Sequence, residues 1–319
     1  MYYIEKGLGE KWKPLAILFA VFGVLTACLG SGTYTQANAI MSSLEVSFGI
    51  APPMTDVVLT ILVGIIILGG LQSIAKAAEK IVPAMAVVYI VAVISLLIIN
   101  REQLPMAIEL VFVNAFTPTA AMGGFLGASV MKGIQSGIAR GIFSNESGLG
   151  SAPIVAAAAK TKWPAEQGLI SMTGTFIDTI IICTMTGLAV ISSGLWTTEL
   201  NGAVLTNGAF SQAFPLFGDY LITIALVLFA FTTILGWSYY GERCAVYLFG
   251  TKVIKPYRLV FIAIIATAAF LKLEEIWALA DIVNGLMAFP NLVALLLLSG
   301  TVVSESKRYM NYLKERSRR

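Results

Sequence analysis

The sequence predicts an all-α, polytopic membrane protein with about eight transmembrane helices. Three observations carry that prediction. Of 319 residues, 57% are hydrophobic and only 12% charged, about half the charge of a typical soluble domain. Several apolar stretches approach or exceed the ~20 residues that a helix needs to cross a bilayer. The basic residues gather on alternate connections between those stretches, as they do on the cytoplasmic side of membrane proteins. Each crossing should be helical, because an open chain in lipid must satisfy its backbone hydrogen bonds internally.

In order, the crossings fall near residues 15–46, 57–74 and 84–99, then a polar-interrupted stretch ending near 159, then 168–191, 220–237, 259–271 and 286–303. The first apolar run, from Leu15, is too long for the h-region of a signal peptide. Segment 201–218 carries Gly202, Gly208 and Pro215 and no basic residue, and is expected to be an outer loop. Segment 239–255 is expected to be a cytoplasmic excursion, an amphipathic helix on the inner leaflet. Seventeen lysines and arginines then share one side: Lys6, Lys11 and Lys13; Lys76 and Lys80; Lys160 and Lys162; Arg243, Lys252, Lys255 and Arg258; and Lys307, Arg308, Lys314, Arg316, Arg318 and Arg319. Only Arg101 and Lys272 fall opposite, with Lys132 and Arg140 unplaced. That asymmetry puts both termini in the cytoplasm, as an even span count also requires.

Composition removes several functions. The chain has no histidine, so imidazole acid–base catalysis and histidine-ligated metals are excluded. Cys28, Cys183 and Cys244 form no metal-like cluster and no disulfide framework. No phosphate-cradling GxxxxGK[ST] run occurs. Low charge excludes a nucleic-acid-binding face.

The chemistry concentrates in four places. Segment 105–160 is twice the length of a span, and its centre reads GIARGIFSNESGLGSAP. Gly137, Gly141, Gly148, Gly150 and Pro153 oppose a continuous helix there. Two geometries fit: a glycine-rich cytoplasmic turn, or a broken helix crossing from about Gly124 to Ala159, interrupted at 144–150, behind a stretch (105–120) lying on the outer surface. A mid-membrane break exposes N–H and C=O groups that can hold a carboxylate and a small cation; Asn145 and Gly148 lie in it. Asn145-Glu146-Ser147 also matches a glycosylation sequon, but neither geometry exposes it.

The first span carries Gly30, Gly32, Thr33, Thr35, Gln36 and Asn38. Close helix packing through small residues explains them; so does a cavity in which Gln36 bonds a polar substrate. Asp178 sits about ten residues into the fifth span, behind Ser171, Gly174 and Thr175 on the same face. An intramembrane carboxylate is a functional candidate by default, and hard cations prefer oxygen ligands. Finally, Thr232 and Thr233 stand one turn before Trp237. They suit an ion ligand beside a cavity wall, although back-bonding and interfacial placement are the commoner uses of these residues.

The opening MYYIEKGLG, then GSGTYTQANAI, RGIFSNESGLGSAPIVAAAAKT, FIDTIIICTMTGL, FTTILGWSYYGE and ADIVNGLMAFPNLVALLLLSG together resemble the sodium:alanine symporter family, the alanine/glycine:cation symporters. The resemblance spans essentially the whole chain and favours the broken-helix geometry. It implies a partial five-plus-five inverted-repeat fold and sodium-coupled symport of alanine or glycine across the plasma membrane, with no cofactor and no covalent chemistry. By motif, Gln36, Phe143 and Trp237 would enclose the substrate, and Thr233 with Thr232 would meet sodium. Asp178 keeps a tentative ion role from the carboxylate argument alone. Family members place further helices ahead of the MYYIEKG motif, so Met1 is expected to be an internal methionine of a longer protein, and this polypeptide alone is not expected to transport. The remaining readings are a proton-coupled amino-acid carrier, a channel or non-transporting membrane subunit, and an intramembrane enzyme using Glu146 and Asp178. No sequence feature brings those two carboxylates together.

Overall fold

The computed structural model describes the backbone of residues 1–116 and 124–317, with side chains for 1–114 and 131–316. The described residues form fourteen α-helices and no strand. Of the stretch expected on the outer surface, residues 117–120 lie outside the described residues, as do Arg318 and Arg319.

Short α1 (Tyr2–Leu8) precedes α2 (Lys13–Leu29) and α3 (Tyr34–Phe48). Then come α4 (Pro52–Leu68), α5 (Leu71–Ile99), α6 (Leu104–Phe116) and α7 (Gly124–Asn145). Five-residue α8 (Ala152–Ala156) leads to α9 (Pro164–Thr175), which passes through a wide π-helical turn (Phe176–Cys183) into α10 (Thr184–Ser193). The chain closes with α11 (Gly202–Ala213), α12 (Gly218–Phe249), α13 (Ile254–Ile265) and α14 (Leu273–Ser317).

Among the described residues, six helical segments are long and apolar enough to cross a membrane: Glu10–Phe48, Leu71–Ile99, Pro164–Ser193, Gly218–Phe249, Thr251–Phe270 and Leu273–Arg316. With shorter Pro52–Leu68 and the interrupted α7–α8 segment, they correspond to the eight stretches picked out by hydropathy. The protein is an all-α, multi-pass membrane protein. Its outer faces follow lipid logic. Val57, Ile61 and Ile65 on α4 and Val87, Val91 and Ile98 on α5 are more than half exposed, apolar groups turned toward a solvent as apolar as themselves.

Helix α12 is the hub, packing on α2, α3, α5, α11 and α13. One core cluster joins α2, α3, α12, α13 and α14 through Phe19, Ile40, Leu235, Phe261 and Met287. A second joins α5, α10, α11 and α12 through Val93, Ala189, Phe210 and Ile222.

Four local expectations change. The first span is two helices, because the chain unwinds at 30–33. The second connection is only Gly69–Gly70, with Gly70 at φ +79° turning the chain, so Lys76 and Lys80 belong to the start of α5. Segment 201–218 is largely helix α11, held by buried Phe210 and by Asn207, whose Nδ2 donates to Ser47 Oγ at 3.3 Å and Thr223 Oγ1 at 3.1 Å. The expected cytoplasmic excursion continues α12 instead. Glu242 is buried there because Arg243 and Arg258 meet its two carboxylate oxygens at 2.5 and 2.6 Å. Charge paired inside the protein need not leave it.

Candidate functional site: two unwound segments joined by an aromatic pair

The first unwound segment separates α2 from α3. Its glycines serve close approach. A Cβ on Gly32 would lie 2.5 Å from Trp237 Cβ, and one on Gly30 would lie 2.6 Å from Val283 Cγ2. Side chains replace the helical bonds lost here. Thr33 Oγ1 donates to Ala27 O at 2.6 Å, while Thr35 Oγ1 and Gln36 Nε2 both donate to Ser31 O at 3.1 Å. Gln36 therefore stands at the break, with its amide nitrogen turned onto the break's own carbonyl. Gly32 and Thr33 belong to the break itself.

The second unwound segment lies between α7 and α8, as the broken-helix geometry requires. Glu146, Gly148 and Gly150 take φ values of +54°, +73° and +80°, a region natural to glycine and costly for glutamate. Ser151 Oγ donates to Glu146 Oε2 at 2.6 Å, and Asn291 Nδ2 donates to Gly148 O at 2.8 Å. Neighbouring side chains tie the end of α7 to the π turn. Ser144 Oγ donates to Asp178 Oδ2 at 2.8 Å, Asn145 Nδ2 to Thr179 Oγ1 at 3.0 Å, and Ser147 Oγ to Asn145 Oδ1. π turns of this kind concentrate at functional sites because they displace one residue from the regular helix surface.

Among the described residues, α7 borders two cavities. A cleft of about 630 Å³ is lined by Asn145, Glu146, Ser171, Thr175, Asp178 and Tyr240. The shared face read for Ser171, Thr175 and Asp178 is therefore real. Glu146 and Asp178, unconnected by sequence spacing, line the same cleft. The other cavity, about 460 Å³, lies between α7 and α14 and is lined by Phe143, Leu149, Asp281 and Asn284. Phe143 thus turns away from the cleft. Its ring sits 5.5 Å from Trp277, beside Arg140, which pairs with Asp281 at 2.7 Å.

Trp237 connects the two breaks. It is buried, packs on Gly32, and meets Tyr240 edge-on at 5.2 Å, and Tyr240 lines the cleft. One turn earlier, Thr232 and Thr233 donate to carbonyls of their own helix, Thr233 to Phe229 O at 2.9 Å. That leaves the hydroxyl lone pairs, not the protons, to face a ligand, which is the polarity a cation needs. The hydrogen bonds of Asp178 go to Ser144 and Thr179, not to Thr232 or Thr233. Of the three sodium candidates, Asp178 lines the cleft, whose lining includes neither Thr232 nor Thr233.

Four participants escaped the sequence reading. Ser31 Oγ donates to Asn284 Oδ1 at 3.1 Å, Asn291 holds Gly148, and Tyr3 donates to Asn291 Oδ1. The available signal was two asparagines seven residues apart in an apolar helix.

The sodium:alanine symporter family matches residues 1–319. The chain belongs to that family. Family relatives include an uncharacterised transporter of Haemophilus influenzae, 55% identical over 98% of this chain and 69% of its own length. The sodium/alanine symporter AgcS of Methanococcus maripaludis is 46% identical over all of this chain and 70% of its own. The probable sodium/glutamine symporter GlnT of Bacillus subtilis is 38% identical over 98% and 64%. The chain thus spans between 64% and 70% of the length of these three relatives. Membership makes this a chain of a transporter family, and no enzymatic activity is indicated.

Proposed function

We propose that the protein is a sodium-coupled symporter of a small neutral amino acid, alanine or glycine, working by alternating access in the plasma membrane. The observation that carries this reading is Trp237, which abuts the first break at Gly32 and, through Tyr240, the cleft at the second break. Such an aromatic can close over a substrate held by backbone groups at both breaks. A zwitterion needs both polarities, and an interrupted helix offers N–H and C=O groups in one place. Gln36, Asn145 and Gly148 contribute amide and backbone groups, and Thr232, Thr233 and Asp178 oxygens for sodium, while Phe143 walls the neighbouring cavity between α7 and α14. The names of AgcS and GlnT pair sodium with alanine and glutamine respectively, which supports sodium coupling and leaves side-chain volume as the variable that selects the substrate.

Sodium moving down its gradient favours the loaded state that carries the amino acid inward. In membranes carrying the complete gene product, labelled alanine is expected to enter only under a sodium gradient; uptake indifferent to sodium removal overturns the coupling. Trp237→Ala and Gln36→Ala are expected to weaken alanine binding about tenfold or more, with a smaller change for sodium, the loss of a buried aromatic contact or an amide bond. Unchanged alanine affinity in both variants refutes the pocket.

Both termini of the chain are assigned to the cytoplasm on the distribution of lysine and arginine. A cysteine at position 316 should react with an impermeant reagent from inside, and one at position 205 from outside. The reverse pattern overturns the topology.

A further inference from the structure

Helix α14 carries two buried asparagines, Asn284 and Asn291, 7% and 3% exposed. Seven residues place them on one face, about 10 Å apart along the axis. Each bonds a different unwound segment: Asn284 takes the Ser31 hydroxyl, and Asn291 gives its amide hydrogen to Gly148 O.

Asn291 has a second partner. Its Oδ1 accepts the hydroxyl of Tyr3, on α1. The Tyr3 ring meets Phe19 edge-on at 6.5 Å, and Phe19 and Asn291 are the groups that a Cβ on Gly150 would strike. Helix α1 is moored separately at Glu5, which accepts from Tyr247 Oη at 2.6 Å and lies 3.6 Å from Lys13. Those contacts, the Tyr247 hydrogen bond foremost, hold the Glu5 carboxyl below the usual carboxylate range. On the α14 side, Pro290 directly precedes Asn291 and removes one intrahelical donor, so the helix bends most readily at this contact.

We infer that Tyr3 and Asn291 form a latch that couples α1 to the second unwound segment and holds that segment in its packed position. Both are positioning residues. The asparagine amide is shared, its N–H on the break and its oxygen on α1, so displacing α1 reorients the amide and leaves the Gly148 carbonyl without a donor. A partly buried carbonyl without a partner is disfavoured, and the segment then moves to recover one. Rearrangement of the break and movement of α1 therefore occur together. The inference rests on the symport reading only in taking the break to rearrange during turnover.

Leu149 reports the latch, because it is 2% exposed at the centre of the break. With Cys28, Cys183 and Cys244 replaced by alanine, the complete gene product carrying Leu149→Cys is treated in membranes with an impermeant thiol reagent. Tyr3→Phe, which keeps the ring and removes one hydroxyl, and Asn291→Ala are each expected to speed labelling about fivefold, the shift that loss of one ordinary buried hydrogen bond produces. Equal labelling in Tyr3→Phe and its parent overturns the latch, whatever Asn291→Ala does. Sodium with alanine should also change labelling in the parent. If it does not, the symport reading fails while the comparison between variants still decides the latch.

Discussion

Glu242→Leu is expected to lower stability by about 3 kcal/mol, the scale set by removing one member of a buried ion pair. Glu242 is 7% exposed on its side chain and meets two guanidiniums, and Arg258, at 16%, is the more deeply held. Arg258 also donates to Leu68 O at 3.3 Å, so the cluster joins α12, α13 and the end of α4. Without the carboxylate, that carbonyl is the one hydrogen-bond partner left to Arg258 among the described residues. Arg243 is less affected, being 33% exposed and lying 5.2 Å from the Tyr239 ring. The measurement is the unfolding midpoint in detergent. Glu242→Leu/Arg258→Met, which also removes the more deeply buried guanidinium, should recover most of the loss. A single variant as stable as its parent, or a double variant no better than the single, rejects the account.

Gly150→Ala is expected to reduce transport about tenfold or more through two costs acting together. At φ +80° an L side chain is strained, by about 1–2 kcal/mol. The new Cβ would also lie 2.8 Å from Asn291 Cγ, Asn291 Oδ1 and Phe19 Cε2, and overpacking a tight site costs about 1–3 kcal/mol. The break could then form only by displacing Asn291, so initial uptake should fall while expression persists. Gly137→Ala is the matched control, because a Cβ there meets nothing within 4 Å. Full uptake by Gly150→Ala removes the claim that this packed geometry is the working one.

Much of the fold was legible in the chain itself. Apolar run lengths announced the spanning helices, and the NESGLGS motif announced a break where the structure has one. The residues before Asp178 were assigned to a single face, and Ser171 and Thr175 share its cleft. The errors have a common origin. The outer segment was taken for a loop because glycines and a proline interrupt it, yet packing of Phe210 and the bonds of Asn207 hold it helical. The end of α12 was taken for an amphipathic helix on the inner leaflet, yet Arg258, sixteen residues away, neutralises Glu242 inside the protein.

The candidate site divides in the same way. Thr233 and Trp237, one turn apart, were legible as a local pair. The bridge from Trp237 to Gly32 was not, because it depends on how closely α12 approaches α3, and only the absence of a Cβ at Gly32 permits it. Nor could spacing bring Glu146 beside Asp178, aim Phe143 at Trp277, or connect Tyr3 with a residue 288 positions later. Composition and periodicity by themselves determined that this chain lives in a membrane as a set of helices, with oxygen and amide groups in place of histidine. Tertiary structure decided which polar groups meet, because between helices in lipid a hydrogen bond or a close glycine contact depends on interaxial distance and rotation, and the one-dimensional pattern specifies neither.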